Sequence, residues 1–256
     1  MTTALITGAT AGIGAAFARR LAKDGRDLVL VARDTARLEG TAAELGKAYG
    51  VTVETLTADL ATETGIAAVE DRLRDDERPV DILVNNAGFG HKGAFLAVPV
   101  EDELAMVKVH IEAILRLTTA AVPGMRSRGF GGIVNVASVA AFLPRGTYGA
   151  SKAWVVSFTQ GIARDLEGSG VRLLALCPGF TRTEFHERAG MGTSNIPAWT
   201  WLSAERVVDE ALRDLARGRS LSVPGKRYRA LVTLARLLPP GRLGGVSSKA
   251  ARTYRD

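Results

Sequence analysis

Cysteine, histidine and long apolar runs are scarce in this sequence. Its 256 residues include one cysteine, Cys177, and three histidines, so an internal disulfide is excluded and a clustered metal site is disfavoured. No apolar run approaches the length of a membrane-spanning helix. The strand-like run TTALITGA begins at residue 2 and leaves no room for a signal peptide before it. We therefore expect a cytoplasmic protein that binds no metal.

Acidic residues are scarce near the C-terminus. Residues 211–256 contain eleven Lys or Arg residues and two acidic ones, whereas the preceding residues are slightly acidic overall. The basic C-terminal extension, residues 225–256, has apolar residues clustered as on one face of a helix. Such a segment could contact a membrane surface, bind a partner or hold an anionic part of a substrate. Nucleic-acid binding is disfavoured, because no recognised motif accompanies the charge.

Short runs rich in Val, Ile and Leu alternate with longer segments of helical periodicity. Most of the runs are apolar on both faces, as expected for strands buried inside a parallel sheet. The six runs are residues 4–9, 27–32, 51–56, 80–85, 132–137 and 171–176. The stretch SLSVPG, residues 220–225, could add a seventh strand.

The helical segments between these runs end at stop signals such as Gly25 and Gly50. The two longest predicted helices cover residues 99–126 and 148–167. Strands and helices that alternate in this way indicate an α/β fold, a three-layer doubly wound parallel sheet. No linker interrupts the pattern, so we predict one domain over residues 1–256.

A glycine-rich turn, TGATAGIG, follows the first predicted strand and precedes a helix. Glycines at such a turn let the backbone approach a pyrophosphate, and the helix offers its N-terminal N–H groups to the anion. The turn therefore predicts a dinucleotide site at Gly8, Thr10, Gly12, Ile13 and Gly14.

Polar residues also follow the third and fourth predicted strands. Asp59 and Leu60 belong to the stretch ADL, and Asn85, Asn86 and Gly88 belong to NNAG. Because the carboxyl ends of parallel strands meet at one edge of the sheet, these residues are candidates for the cofactor site, where the NNAG backbone would line the adenosine. The Asp59 carboxylate would accept from the adenine amino group. Each stretch is equally compatible with a turn that has no ligand.

The second predicted strand ends at Ala32, where many dinucleotide-binding proteins place an acid that accepts hydrogen bonds from the adenosine ribose. Arg33 follows it, and a guanidinium pairs well with the 2′-phosphate of NADP(H). We therefore expect NADP(H) rather than NAD(H), and we interpret Asp34 as a helix cap. The alternative is that Arg33 is a solvated arginine at a strand end.

Ser138, Tyr148 and Lys152 lie within the stretch SVAAFLPRGTYGASK. Tyr148 and Lys152 are four positions apart and share one face of a helix, whereas Ser138 ends the apolar run GIVNVAS. A free phenol has a pKa of about 10, too high for a good base at neutral pH. A lysine one turn away favours the phenolate and lowers that pKa. The stretch alone is compatible with a reaction centre and with the polar end of a strand that runs into an ordinary helix.

In their order along the chain, TGATAGIG, NNAG, Ser138, YGASK and PGFTRTEF resemble the short-chain dehydrogenase/reductase family, including its 3-oxoacyl-reductase-like and hydroxysteroid-dehydrogenase-like members. The resemblance implies a Rossmann sheet of strand order 3-2-1-4-5-6-7 that binds NADP(H) or NAD(H). It also implies a homodimer or homotetramer. The implied reaction transfers hydride between the nicotinamide and a carbonyl or alcohol carbon.

The resemblance also implies roles for individual residues. Tyr148 would donate or accept the proton, Ser138 would orient the carbonyl, and Lys152 would contact both the tyrosine and the nicotinamide ribose. The remaining cofactor contacts would come from Pro178, Gly179 and Thr181 of the PGFT stretch. Thr181 matches a position that touches the nicotinamide carboxamide.

The sequence departs from the family pattern at two points. His110 occupies a helix position where the family usually has an Asn that takes part in a proton relay. We expect His110 to serve in a modified relay and to add an ionisation near neutral pH; the alternative is a histidine that only fills a partly buried position. The loop from Ser138 to Tyr148 is also shorter than usual, which weakens the placement of Ser138.

Residues 184–202 follow PGFT and are the predicted substrate lid. They include Phe185, Met191, Trp199 and Trp201, side chains large enough to exclude water from a bulky apolar substrate. The tryptophans could equally pack structurally or at a subunit contact.

The predicted function is an NADP(H)-dependent oxidoreductase acting on a ketone or secondary alcohol. The alternative is an NADP(H)-binding regulatory or scaffold protein whose catalysis has lapsed.

Overall fold

Seven parallel strands form a single sheet in the computed structural model, which describes residues 2–91, 95–185, 189 and 196–237. The strand order is β3-β2-β1-β4-β5-β6-β7, and all six neighbouring pairs are parallel. The strands are β1 (Thr3–Thr7), β2 (Asp27–Ala32), β3 (Val53–Thr57), β4 (Ile82–Asn85), β5 (Gly131–Val136), β6 (Val171–Leu176) and β7 (Leu221–Ser222). The predicted doubly wound fold and its strand order are confirmed.

Helices cover both faces of the sheet. They are α1 (Gly12–Lys23), α2 (Thr35–Tyr49), α3 (Glu63–Leu73), α4 (Val100–Val107), α5 (Ala113–Ser127), α6 (Gly146–Asp165), α7 (Ala204–Ala216) and α8 (Lys226–Leu237). Successive strand residues point to opposite faces: Ala4 and Ile6 pack with α1, α2 and α7, whereas Leu5 packs with α3 and α5. Burial on both faces explains why the strand sequences are apolar throughout.

The helix predicted at 99–126 is not continuous. A π-helical turn, Lys108–Glu112, separates α4 from α5 and contains His110. Such a turn inserts one extra residue into the helix and is frequent at functional sites. Hydrophobic periodicity does not reveal a single inserted residue, because the apolar positions continue on both sides of it.

The ends of β1 and β4 are tied together by Thr7. Its hydroxyl oxygen accepts from the backbone N–H groups of Asn86 and Ala87, each at 3.0 Å. In return, the Asn86 side-chain amide donates to the Thr7 and Gly8 carbonyl oxygens at 2.9 and 3.2 Å. The chain reverses its direction of winding between these two strands, and this reversal is where open α/β sheets bind ligands.

Two predicted segments are described only in part. In the predicted lid, residues 186–188 and 190–195, which include Met191, lie outside the described residues. In the basic C-terminal extension, α8 covers residues 226–237, and residues 238–256 lie outside the described part. Across the described ranges, no helix has both the length and the apolar character required to cross a bilayer.

Candidate active site

The glycine-rich turn after β1 forms a backbone cradle. Gly8 and Gly12 have φ angles of +66° and +54°, which residues with a side chain rarely adopt. A Cβ on Gly14 would lie 2.2 Å from the Gly8 carbonyl oxygen. Helix α1 begins here with no side-chain cap and no acidic residue in its first turn, so its N–H groups face an anion-binding cradle of the kind that holds a pyrophosphate.

The segment after β6 crosses this turn. A Cβ on Gly12 would lie 3.0 Å from Thr183 Cβ, which places Thr183 directly against the cradle. Arg37 donates to the Thr10 carbonyl oxygen at 3.2 Å and pairs with the Glu184 carboxylate at 3.2 Å. The Glu184 carboxylate raises the pKa of Arg37 above its usual value. Sequence analysis missed this contact, because Arg37 and Glu184 are 147 positions apart.

The end of β2 carries cationic and hydroxyl groups. The Arg33 side chain is exposed, with its guanidinium 4.0 Å from the Asp59 carboxylate. Asp34 accepts the Arg37 backbone N–H at 3.0 Å and caps α2, which confirms its interpretation as a helix cap. The Thr35 and Thr57 hydroxyls lie 3.0 Å apart beside it. Together with the cradle, this set fits a dinucleotide that carries an additional phosphate.

The residues that follow β3 and end β4 differ in what their side chains contact. Asp59 uses one carboxylate oxygen to accept the Ala61 N–H at 2.9 Å, and the Leu60 side chain packs into the core. The Asn85 side chain is 2% exposed and donates to Asn135 Oδ1 at 2.9 Å. The Asn85 side chain therefore lies inside the core, and the prediction that the NNAG backbone lines an adenosine stays a prediction.

Lys152 is the most deeply buried charged group of the candidate site. The residue is 4% exposed, and its Nζ donates to the Val136 carbonyl oxygen, at the end of β5, at 3.0 Å. Nζ lies 5.9 Å from the centre of the Tyr148 ring, as their four-residue spacing on α6 predicts. Burial lowers the pKa of Lys152 to about 8, so the amine stays largely protonated at neutral pH.

Ser138 follows β5 and caps a short 3₁₀ turn, Val139–Phe142, by accepting the Ala140 N–H at 3.1 Å. This turn packs closely against α6, because a Cβ on Gly149 would lie 3.3 Å from the Ala140 carbonyl oxygen. Gly149 therefore brings the serine turn up to the helix position next to Tyr148. Gly149 belongs to the YGASK stretch, and the lack of a side chain at this position is the sequence feature that allows this contact.

The segment after β6 lies beside the serine turn. The Val139 N–H donates to the Pro178 carbonyl oxygen at 3.0 Å. Thr181 is 4% exposed, and its hydroxyl donates to the Gly179 carbonyl oxygen at 3.0 Å. Residues predicted from PGFT, from the end of β5 and from YGASK therefore meet at the carboxyl edge of the sheet.

His110 lies behind Tyr148 in a closed hydrogen-bond network. The Phe89 N–H donates to His110 Nε2 at 3.3 Å. His110 Nδ1 lies 3.0 Å from Ser151 Oγ, which itself donates to the Tyr148 carbonyl oxygen at 2.9 Å. A backbone N–H can only donate, so Nε2 is the acceptor and Nδ1 carries the single ring proton. Gly88 makes room for this ring, since a Cβ there would lie 2.8 Å from Nε2.

The expected ionisation of His110 near neutral pH is wrong. The residue is fully buried, and burial together with the positive charge of Lys152 holds the pKa of His110 well below its usual value. A charged imidazole would also lose the acceptor that the Phe89 N–H requires. His110 is therefore a neutral residue that joins the β4 loop, the π-helical turn and α6.

Replacing Lys152 with Met should change how stability depends on pH. A buried amine whose pKa lies near 8 instead of 10.5 destabilises the fold below about pH 8, and this cost disappears as the pH rises towards 10.5. In urea unfolding, Lys152→Met should be more stable than the parent at pH 7 by up to about 3 kcal/mol. The difference should shrink by pH 10. Lys47→Met, at an exposed position of α2, is the control; a pH-independent difference at Lys152 would contradict the explanation.

The ring of His110 should not titrate between about pH 6 and pH 8 in the folded protein, because its neutral form is fixed by the network. Its ring resonances, assigned by comparison with His110→Asn, should keep constant chemical shifts over that range. In urea the same resonances should titrate near the ordinary value of about 6.5. A midpoint inside the range in the folded protein would refute the closed network.

Comparison with known proteins supports these assignments of fold and family. A family model described as short chain dehydrogenase matches residues 2–192. Serine 3-dehydrogenase from Agrobacterium fabrum is 41% identical over 188 residues, which cover 72% of this chain and 73% of that protein.

Solved structures extend the likeness beyond the residues that the family model matches. A short-chain dehydrogenase from Sphingobium yanoikuyae in complex with NADPH is 40% identical, with a TM-score of 0.84, over 92% of this chain and 94% of that one. A bulky-bulky ketone specific alcohol dehydrogenase from Comamonas testosteroni is 34% identical, with a TM-score of 0.80, over 92% of both chains. The chain belongs to the short-chain dehydrogenase family and is an oxidoreductase.

Proposed function

We propose that this chain is an NADP(H)-dependent oxidoreductase that interconverts ketones and secondary alcohols, with Tyr148 as the proton donor and acceptor. The observation that carries the proposal is the Lys152 ammonium, which is 4% exposed and lies 5.9 Å from the Tyr148 ring centre. Leaving a cation buried in this way costs stability, so its position next to a phenol has a functional explanation.

The chain's own residues handle the proton and the developing charge. When bound, the nicotinamide supplies or accepts the hydride. In reduction, the Tyr148 hydroxyl gives its proton to the substrate oxygen, and the Lys152 cation favours the phenolate that remains. The Ser138 oxygen accepts the Ala140 N–H, which leaves its hydroxyl hydrogen to donate to the same substrate oxygen.

In this proposal His110 positions Tyr148 and transfers no proton during the reaction. Its donor nitrogen reaches the Tyr148 carbonyl oxygen through Ser151, at 3.0 and 2.9 Å, and the two rings contact edge to face with centres 5.7 Å apart. The network therefore fixes the first turns of α6, and with them the direction in which the phenol points. A relay through a charged imidazole is not needed.

Three observations support NADP(H) as the cofactor. β2 ends at Ala32 without an acid, the Arg33 guanidinium is exposed beside it, and Asp34 is already used as a helix cap. The similar dehydrogenase from Sphingobium yanoikuyae is a complex with NADPH. An arginine at this point pairs with a 2′-phosphate, which NAD(H) lacks.

A bulky, apolar carbonyl compound fits the surroundings of Tyr148 best. The Phe185 ring lies 6.2 Å from the Tyr148 ring. The Comamonas testosteroni relative is specific for bulky-bulky ketones. An aromatic side chain beside the reacting phenol excludes water and binds apolar substituents. A homodimer or homotetramer and a cytoplasmic location stay predictions.

Replacing Tyr148 with Phe tests the reaction. We expect Tyr148→Phe to lower NADPH oxidation with a panel of bulky ketones by about 10²- to 10⁴-fold, because the proton donor is lost. NADPH binding, followed by its fluorescence, should be retained. Tyr49→Phe, at an exposed position of α2, should react like the parent. Turnover that survives Tyr148→Phe would refute the role; a parent that binds NADPH but reduces no carbonyl would favour the regulatory or scaffold alternative.

Replacing Arg33 with Ala tests the cofactor. The loss of one charge-assisted contact should weaken NADPH binding by about ten- to a hundredfold and leave NADH binding unchanged. Arg126→Ala, an equal change of charge at an exposed position of α5, corrects for the general electrostatic effect. Equal weakening of both cofactors would contradict the role of Arg33.

A further inference from the structure

Helix α8 (Lys226–Leu237) lies beyond the part that the family model matches, yet it touches segments on two sides of the candidate site. Near its end, the Arg236 guanidinium lies 5.4 Å from the centre of the Phe142 ring, in the turn that Ser138 caps. Near its start, Arg227 donates to the Trp199 carbonyl oxygen at 2.9 Å and lies over the Trp199 ring. Between them, Tyr228 reaches the segment after β6.

Tyr228 uses both hydrogen-bonding functions of its hydroxyl. The oxygen accepts the Phe180 N–H at 3.0 Å, and the hydroxyl donates to the Thr200 carbonyl oxygen at 2.8 Å. Burial raises the pKa of Tyr228 above its usual value, so the hydroxyl keeps the proton that it donates. One side chain thus joins the backbone of the PGFT stretch to the backbone of the following segment.

The ring of Tyr228 explains why residue 179 is a glycine. A Cβ on Gly179 would lie 2.1 Å from Tyr228 Cζ, well inside van der Waals contact. Gly179 is not among the glycines with a positive φ, so its backbone conformation alone does not require glycine. The requirement comes from the aromatic ring that packs flat against this position.

The joined segments already run side by side. The Leu202 N–H donates to the Phe180 carbonyl oxygen at 2.8 Å, and the Arg182 N–H donates to the Leu202 carbonyl oxygen at 3.0 Å. Thr181 lies between these bonds and is 4% exposed. The Tyr228 hydroxyl extends this ladder by one link, so the position of Thr181 depends on a residue 47 positions further along the chain.

We propose that Tyr228 is a positioning residue that holds the Gly179–Thr181 backbone in place for the nicotinamide end of the cofactor. The inference rests on the proposed function, in which the PGFT stretch contacts the nicotinamide. Helix α8 thereby forms part of the site indirectly: it fixes the backbone around Thr181 and attaches it to residues 199–202 on the substrate side.

Tyr228→Phe tests the hydroxyl, because it keeps the ring against Gly179 and removes both hydrogen bonds. NADPH affinity, measured by fluorescence titration, should fall by about three- to tenfold. Energy transfer from tryptophan to bound NADPH should change, because Trp199 and Trp201 flank the Thr200 contact. With NADPH and ketone both saturating, kcat should fall by a larger factor than the ketone KM changes, because the Gly179–Thr181 backbone is proposed to hold the nicotinamide and not the ketone. Tyr49→Phe is the matched control.

Gly179→Ala tests the ring. In the parent, the added methyl group should displace Tyr228 and weaken NADPH binding more than Tyr228→Phe does. In a Tyr228→Ala background, the same methyl group should have little further effect, so the two changes are not additive. Additive effects, or a Tyr228→Phe protein that matches the parent in affinity, energy transfer and kcat, would overturn the proposal. A parent that binds no NADPH would instead refute the proposed cofactor.

Discussion

One buried positive charge organises the centre of this molecule. The Lys152 ammonium is enclosed between α6 and the end of β5, where the Val136 carbonyl oxygen accepts its hydrogen bond. An ion in such surroundings acts strongly on nearby groups, because little water screens it. It helps to keep His110 neutral, and it favours negative charge on the phenol of Tyr148. In the proposed mechanism, the same cation therefore keeps His110 as a neutral support and assists Tyr148 in exchanging a proton.

Much of the fold was predictable because strands that are buried on both faces have sequences that are apolar throughout. The predicted strands at 27–32 and 171–176 coincide with β2 and β6, and the other four of the six predicted runs differ from the observed strands by at most two residues at either end. The possible seventh strand at 220–225 corresponds to the shorter β7, Leu221–Ser222. The first strand ends earlier than predicted, since Gly8 turns the chain with a positive φ. The interruption at Lys108–Glu112 was not predictable: an apolar pattern reports which face is buried, not whether the backbone has gained a residue.

The site was predictable where one short stretch carries the geometry. The four-residue spacing of Tyr148 and Lys152 and the glycines after β1 are local features, and the structure places them as expected. Contacts between residues that are distant in the sequence have no such local feature to predict them. Arg37 meets Glu184 across 147 positions, and Tyr228 meets Phe180 across 48. Asn85 sits at a strand end, but whether its side chain enters the cleft or the core depends on Asn135 of the next strand.

The network around His110 limits which side chain could replace it. Phe89 donates to one ring nitrogen and Ser151 receives from the other, so a half-turn of the imidazole would bring carbon–hydrogen edges against both neighbours. The ring thus has a single admissible orientation. A phenylalanine would fill a similar volume but could form neither of the two hydrogen bonds. Position 110 requires a planar side chain with a hydrogen-bond acceptor at one end and a donor at the other. The size and the hydrophobicity of a residue do not describe this requirement.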